Sequence, residues 1–159
     1  RYICRMAEFT MLLGGNLGDT TRTFAQAETL IAERIGLITA RSRDHVTEPW
    51  GFTHERLFLN RAIQVESGRS PAEVMQTLLA IESELGRTRD GNSGYSARTI
   101  DIDILLIENQ VLDLPGLTVP HPRVQERSFA LAPVADIAPL LKHPVLGLTV
   151  MEMLDQSLR

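Results

Sequence analysis

Residues 98–107 read Arg-Thr-Ile-Asp-Ile-Asp-Ile-Leu-Leu-Ile and alternate cleanly at their start. Side chains along a strand point to opposite faces with period two. The segment is therefore a strand in which Ile100, Ile102, Ile104 and Leu106 share a core face. Asp101 and Asp103 share the other, roughly 7 Å apart at their α-carbons by strand rise. Leu105 and Ile107 continue that second face as apolar residues. A chain carrying this segment is expected to build a sheet, and something should compensate the two neighbouring carboxylates.

The remaining elements follow from periodicity and punctuation. Phe9 to Leu13 reads as a first strand, broken into a loop by Gly14, Gly15 and Gly18. Asp19 can cap a helix over 20–35 with Phe24, Ala27, Ile31 and Ile35 on one face. Gly36 ends it, and 37–47 reads as a second strand. A loop through Pro49 and Gly51 leads to a third strand over 57–66. Ser70 and Glu73 form a capping box, with Pro71 at the first helical position and Gly86 after the end. Val74, Leu78, Ile81 and Leu85 are its apolar stripe. A polar, glycine-containing loop at 86–97 precedes the carboxylate strand. Glu108 to Gln110 can turn that strand into a short partner around 111–114. Thr149 and Glu152 box a last helix with Val150, Met153 and Leu154 inward. The order β-α-β-β-α-β matches a ferredoxin-like α+β sandwich, a four-stranded antiparallel sheet with helices on one face, plus a C-terminal extension. This architecture hosts many activities, so it does not by itself give a function.

Composition narrows the setting. The 159 residues suit one domain, large enough to bury a core without disulfides. Sixteen basic against 20 acidic residues give a net charge of −4, so no global field draws the chain to nucleic acid or an anionic membrane. Fifteen of the 16 basic residues are arginine, a side chain suited to bidentate phosphate contacts, although a codon bias accounts for the count equally well. Cys4 is the only cysteine, which fits a reducing cytoplasm. No apolar run is long enough to span a bilayer. Residues 1–6 read as a leader, a tag remnant or a trimmed end and are given no function.

Two like charges side by side repel each other, and arginines or divalent cations can compensate them. Mg²⁺ takes one or two carboxylates, keeps some water and completes its octahedron with substrate phosphates. On its own the pair reads more readily as two solvated strand aspartates. Arg98 and Thr99 just before it, and Arg87 and Arg89 upstream, shift the reading toward an anionic, phosphate-rich ligand. Arg87 and Arg89 also suit a solvated loop after a helix end.

Four segments together resemble the 6-hydroxymethyl-7,8-dihydropterin pyrophosphokinase family: LGGNLGD at 13–19, TEPWG…FLN at 47–60, IESELGRTR at 81–89 with RTIDIDILL at 98–106, and VPHPRVQERSF at 119–129. Matching spacing runs through most of residues 8–140. The resemblance implies the ferredoxin-like sandwich and a single pyrophosphokinase domain over 7–159. It implies attack of the pterin hydroxymethyl oxygen on the β-phosphorus of MgATP, giving AMP and a pterin diphosphate in folate biosynthesis. Asp101 and Asp103 would bind two Mg²⁺ ions. Arg87 and Arg98 match arginines that engage the phosphates during transfer. Glu82, His121 and Arg127 match positions at the nucleotide. Phe58 and Phe129 match aromatics that sandwich the pterin, Asn60 a side chain that bonds its polar edge, and Thr47, Glu48, Pro49 and Trp50 a loop that reads that edge. ATP and the pterin are then the partners, with no nucleic acid and no membrane, and a cytoplasmic monomer is expected.

Phe58 and Asn60 are two apart on a strand and so share a face. A flat heteroaromatic needs stacking area and a few placed polar groups. Taken singly, Phe58 and Phe129 read as core residues. The sequence departs from the family at Gly15, usually Ser, at Glu55, often Gln, and in the loop before Arg98. There Tyr95-Ser96-Ala97 replaces Trp-Gly-Pro, and Asn92 to Gly94 suggest a different loop length. None of these changes removes a carboxylate or a phosphate arginine, so an active enzyme is expected. Two rivals remain: a non-catalytic ligand-binding domain on the same fold, and a nucleotidyltransferase, which would release pyrophosphate.

Overall fold

The computed structural model describes residues 5–16, 20–47, 58–86 and 100–159. Its centre is an antiparallel sheet of β1 (Ala7–Asn16), β2 (Leu37–Arg41), β3 (His45–Thr47), β4 (Phe58–Ser67) and β5 (Asp101–Ile107). The order is β2-β4-β1-β5, with β3 also paired to β4. Between β1 and β2 runs α1 (Thr20–Arg34), and between β4 and β5 runs α2 (Pro71–Gly86).

Both helices lie on one face. Phe24, Ala27, Ile31 and Ile35 meet Val74, Leu78 and Ile81 over Phe9, Met11 and Leu13 of β1 and Leu59, Ile63 and Val65 of β4. The stripes expected of both helices are the buried ones, except that Leu85 at the end of α2 is only half-buried. The Ser70–Glu73 box is formed: the Ser70 amide donates to Glu73 Oε1 at 3.0 Å and the Glu73 amide to Ser70 Oγ at 3.2 Å. Each satisfies a group the first helical turn would otherwise leave open. Arg34 of α1 pairs with Glu84 of α2 at 2.6 Å across the helix seam.

The other face is covered too, which the expectation of helices on one face had left to an unnamed extension. A short hairpin of β6 (Leu112–Leu114) and β7 (Leu117–Val119) leads through a 3-10 turn (Val124–Glu126) to α3 (Ser128–Ile137) and α4 (Val150–Ser157). Ala130, Leu131, Val134, Val150 and Met153 pack there against Leu12, Ala62, Leu105 and Leu106. The Thr149–Glu152 box opens α4 as read from the sequence. Helix α3 was not read at all.

Four further readings are corrected. The span 37–47 is two strands, because Ser42 interrupts it: its hydroxyl accepts from the Ala62 amide at 2.9 Å while its own amide donates to the Ala62 carbonyl at 2.8 Å. Gly14 and Gly15 do not break β1 but continue it opposite Asn60 and Leu59. Segment 112–114 pairs with β7 rather than with β5. Finally, β5 carries an irregularity: Thr10 faces Leu106 while Met11 faces Ile104, leaving Leu105 extra. A bulged residue resets the alternation. Leu106 therefore joins the α3–α4 core and Ile107 the α1–α2 core, the reverse of strict period two.

Candidate active site

Register fixes which side chains share the second face. Ala62, Leu12 and Asp103 form one row across β4, β1 and β5; Asn60, Gly14 and Asp101 form the next. On the far side of β4, His45 lies opposite Asn60, and Thr47 opposite Phe58. In its middle this face is apolar and covered by α3 and α4, with the hydrogen-bonded Gln64 and Thr10 beyond at one end. At the other end Asp101 and Asn60 are separated only by Gly14, about 10 Å apart by strand spacing. A β-carbon at Gly14 would stand 3.3 Å from Asn60 Oδ1, tight enough to displace that side chain.

The two aspartates sit as the alternation predicted, half-buried on one face of β5, with Ile102 between them turned into the α1–α2 core. Strand β5 ends the sheet order among the described residues. On the side away from β1, Glu82 Oε2 accepts from the Ile102 amide at 2.6 Å. The helix glutamate thus fixes the backbone between the two carboxylates. A charge-assisted bond to an edge amide is worth about 1.5–3 kcal/mol.

Glu82, Asp101, Asp103 and His121 line one cavity of about 460 Å³. Its remaining wall is Met75, Leu78 and Leu79 of α2, Ile102 and Ile104 of β5, and Gly116, Leu117, Thr118 and Pro122 in and after the β6–β7 hairpin. Sequence reading missed this apolar wall. Its clearest signal is Leu79, which lies off the helix stripe and is 48% exposed.

His121 is anchored at both its backbone and its ring. Its amide donates to the Leu105 carbonyl at 2.9 Å, and its Nδ1 accepts from the Arg123 amide at 3.2 Å. That bond leaves Nε2 as the nitrogen that carries the proton of the neutral ring. Burial pushes the imidazole below its ordinary value, the positive charges of Arg127 and Arg123 push the same way, and Asp103 opposes them. His121 therefore stands neutral near neutrality, between a carboxylate and two guanidiniums. Arg127 immediately precedes α3 and lies over the Phe129 ring, 5.6 Å from its centre, a cation–π contact.

Phe58 and Phe129 are 39% and 37% exposed, so neither is a core residue, the reading each invited singly. Asn60 is buried and donates through Nδ2 to Thr47 Oγ1 at 3.2 Å. The structure thus gathers the expected residues into two groups. Glu82, Asp101, Asp103 and His121 surround the cavity. Thr47, Phe58 and Asn60 lie together on β3 and β4. Expected residues Glu48, Pro49, Trp50, Arg87 and Arg98, together with Tyr95, lie outside the described residues.

This fold and this paired arrangement define a small protein of mixed helix and antiparallel sheet, with an acidic strand edge beside an apolar cavity. The profile of the 7,8-dihydro-6-hydroxymethylpterin-pyrophosphokinase family matches residues 10–139. A 2-amino-4-hydroxy-6-hydroxymethyldihydropteridine pyrophosphokinase of Porphyromonas gingivalis is 40% identical over 141 residues, covering 87% of this chain and 95% of the relative. The enzyme of that name from Bacillus subtilis is 39% identical over 126 residues, covering 79% and 74%. The chain belongs to this pyrophosphokinase family. In fold it is similar to the wild-type HPPK-DHPS protein of Plasmodium falciparum, with a TM-score of 0.77 at 14% identity. That match covers 96% of this chain but 45% of the longer one.

Proposed function

We infer that the chain transfers a pyrophosphoryl group from ATP to the hydroxymethyl oxygen of 6-hydroxymethyl-7,8-dihydropterin, on a ferredoxin-like sandwich, for folate biosynthesis. The observation that carries this reading is the row Asn60–Gly14–Asp101. It sets a hydrogen-bonding amide beside the exposed Phe58 ring on the same sheet face as the carboxylate pair. The nucleotide fits the cavity: apolar α2 and β7 side chains suit a base, while Asp101, Asp103 and neutral His121 suit its phosphate end.

The donor set fits Mg²⁺, a hard cation that prefers carboxylate oxygen. Among the described residues no three His, Cys, Asp or Glu side chains cluster to hold a metal. The protein's share would then be Asp101 and Asp103, which would hold two ions beside the ATP phosphates. Bound there, Mg²⁺ supplies charge neutralisation at the phosphates and eases loss of the alcohol proton.

The chain's own residues do the rest. Phe58 and Phe129 hold the pterin ring, and Asn60 with the Thr47–Trp50 segment reads its polar edge. Glu82 holds β5 still, and His121 and Arg127 take phosphate oxygens. Arg87 and Arg98 neutralise charge as the bond from the β-phosphorus to the α,β-bridging oxygen breaks. The alcohol oxygen bonds to that phosphorus, its proton passes to solvent, and AMP departs. Catalysis of this kind is positioning plus electrostatics. We further read the protein as a cytoplasmic monomer; among the described residues no helix is long and apolar enough to cross a membrane.

Chromatography of nucleotides and pterins tests the reading, after mixing the protein with MgATP and the dihydropterin alcohol. Pterin-dependent AMP with an equal amount of pterin diphosphate is expected. Released pyrophosphate would mean nucleotidyl transfer instead, and ATP bound without turnover would mean a binding domain.

A further inference from the structure

Asp136 lies in the last turn of α3 and is tied to the segment that enters β3. It accepts from His45 Nε2 at 2.9 Å, from the Arg43 amide at 3.3 Å, and from Arg43 Nε and a terminal guanidinium nitrogen at 3.2 and 3.3 Å. Its carboxylate and the His45 ring are about four-fifths buried. No reading of the sequence assigned these residues a role.

Their positions give them one. Phe129 lies seven residues before Asp136 on the same helix. Seven residues is close to two full turns, so the two side chains share a helix face about 10 Å apart along the axis. At the other end of the contact, His45 lies opposite Asn60, and Thr47 opposite Phe58. Thr47 in turn accepts the Asn60 amide hydrogen. The stacking ring on α3 and the edge-reading residues on β3 and β4 therefore belong to separate elements. The Asp136–His45–Arg43 cluster is the polar link between α3 and β3 among the hydrogen bonds described.

We propose that Asp136 is a positioning residue for the pterin, clamping β3 to α3 so that Thr47 and Asn60 keep a fixed distance from Phe129. The inference rests on the pterin reading above. A flat ligand gripped between a ring on one element and hydrogen bonds on two others loses both when the elements drift. Second-layer contacts of this kind set the precision of a site. The nucleotide cavity is lined by α2, β5 and the β6–β7 hairpin, none of them held by the clamp, and only Arg127 reaches the nucleotide from the start of α3, so a loosened clamp acts far more on the pterin than on the nucleotide.

The test compares binding of 6-hydroxymethyl-7,8-dihydropterin, followed by its fluorescence, with binding of a non-hydrolysable MgATP analogue. Asp136→Ala is expected to raise the pterin Kd about tenfold and to change the nucleotide Kd less than about twofold, a displaced site being felt by the ligand it orients. His45→Gln, which keeps a side-chain donor, should retain most of the affinity that His45→Leu loses. Asp136→Ala combined with His45→Leu should cost little more than either alone, since both cut one contact. Equal loss of both ligands, or additive losses in the double variant, would overturn the proposal by making Asp136 a general stabiliser. Phe129→Ala is the control. Unchanged pterin binding in Asp136→Ala with loss in Phe129→Ala would sink the clamp and keep the pterin site. Unchanged binding in both would overturn the pterin reading and the clamp with it.

Discussion

The two faces of the sheet are built on different principles. The α1–α2 face is apolar from end to end along β1, with Phe9, Met11 and Leu13 under regular amphipathic helices. The α3–α4 face changes character along the same strand: Leu12 belongs to a core, and Gly14, one pleat further, borders Asp101 and Asn60. One layer supplies stability without interruption. The other keeps its core to the middle of the strands, between Asn60, Gly14 and Asp101 at one end and the hydrogen-bonded Gln64 and Thr10 at the other. The strands are shared, so each carboxylate is held by an apolar neighbour turned the opposite way.

The largest effect should come from the polar half. Asp101→Ala or Asp103→Ala is expected to lower turnover by about 10³-fold or more, as loss of charge stabilisation at a transferring group does. Thermal unfolding should barely move, because both side chains are half-buried at an edge of the face. A matching loss of Tm would erase the contrast between the faces. The opposite face should answer in reverse. Phe24→Ala removes a fully buried ring and should cost about 3–5 kcal/mol of stability, with KM for both substrates retained in the folded fraction.

Glu82 joins the two faces, reaching from α2 to the edge of β5. Glu82→Gln should weaken nucleotide binding about tenfold, one charged hydrogen bond's worth, and speed hydrogen exchange at the Ile102 amide. Unchanged exchange at that amide would remove its positioning role. The smallest effect concerns pH. Burial holds the imidazoles of His121 and His143 below their ordinary value of 6.5, helped at His121 by Arg127. The unfolded chain takes up these protons first as pH falls. Stability should therefore drop as pH falls below about 6.5 and level off beneath the folded values. Denaturant midpoints between pH 7.5 and 5 would show it, and His143→Gln should flatten part of the slope.

How much of this was legible in the sequence differs by face as well. The α1–α2 layer was readable because contrast marks it: Phe24, Ala27 and Ile31 stand out against charged neighbours, and Ser70 with Glu73 announces a helix start. The Asp101–Asp103 pair was readable for the same reason, each aspartate being flanked by isoleucines. The bulge at Leu105 was not, because residues 104–107 are all apolar and a change of face leaves no trace in polarity. Helix α3 was hidden likewise: Ser-Phe-Ala-Leu-Ala-Pro-Val-Ala-Asp-Ile is apolar almost throughout and contains Pro133, so it shows neither a stripe nor a clean helical run. Glu82 was placed at the nucleotide by resemblance, but its bond to the Ile102 amide has no sequence signature, since every residue but proline offers one. Asp136 and His45 are 91 residues apart and meet only because β3 is a separate short strand.

The central claim is that the chemistry rests on the carboxylate pair of β5, beside a pterin held on the same face. Mn²⁺ binding, followed by electron paramagnetic resonance, tests it most directly. The protein is titrated with Mn²⁺ in the presence of an ATP analogue carrying a methylene group between the α- and β-phosphorus, and the dihydropterin alcohol. The account predicts two ions per chain in the ternary complex, neither retained at that affinity in Asp103→Ala. Two ions bound equally well by Asp101→Ala and Asp103→Ala would contradict it.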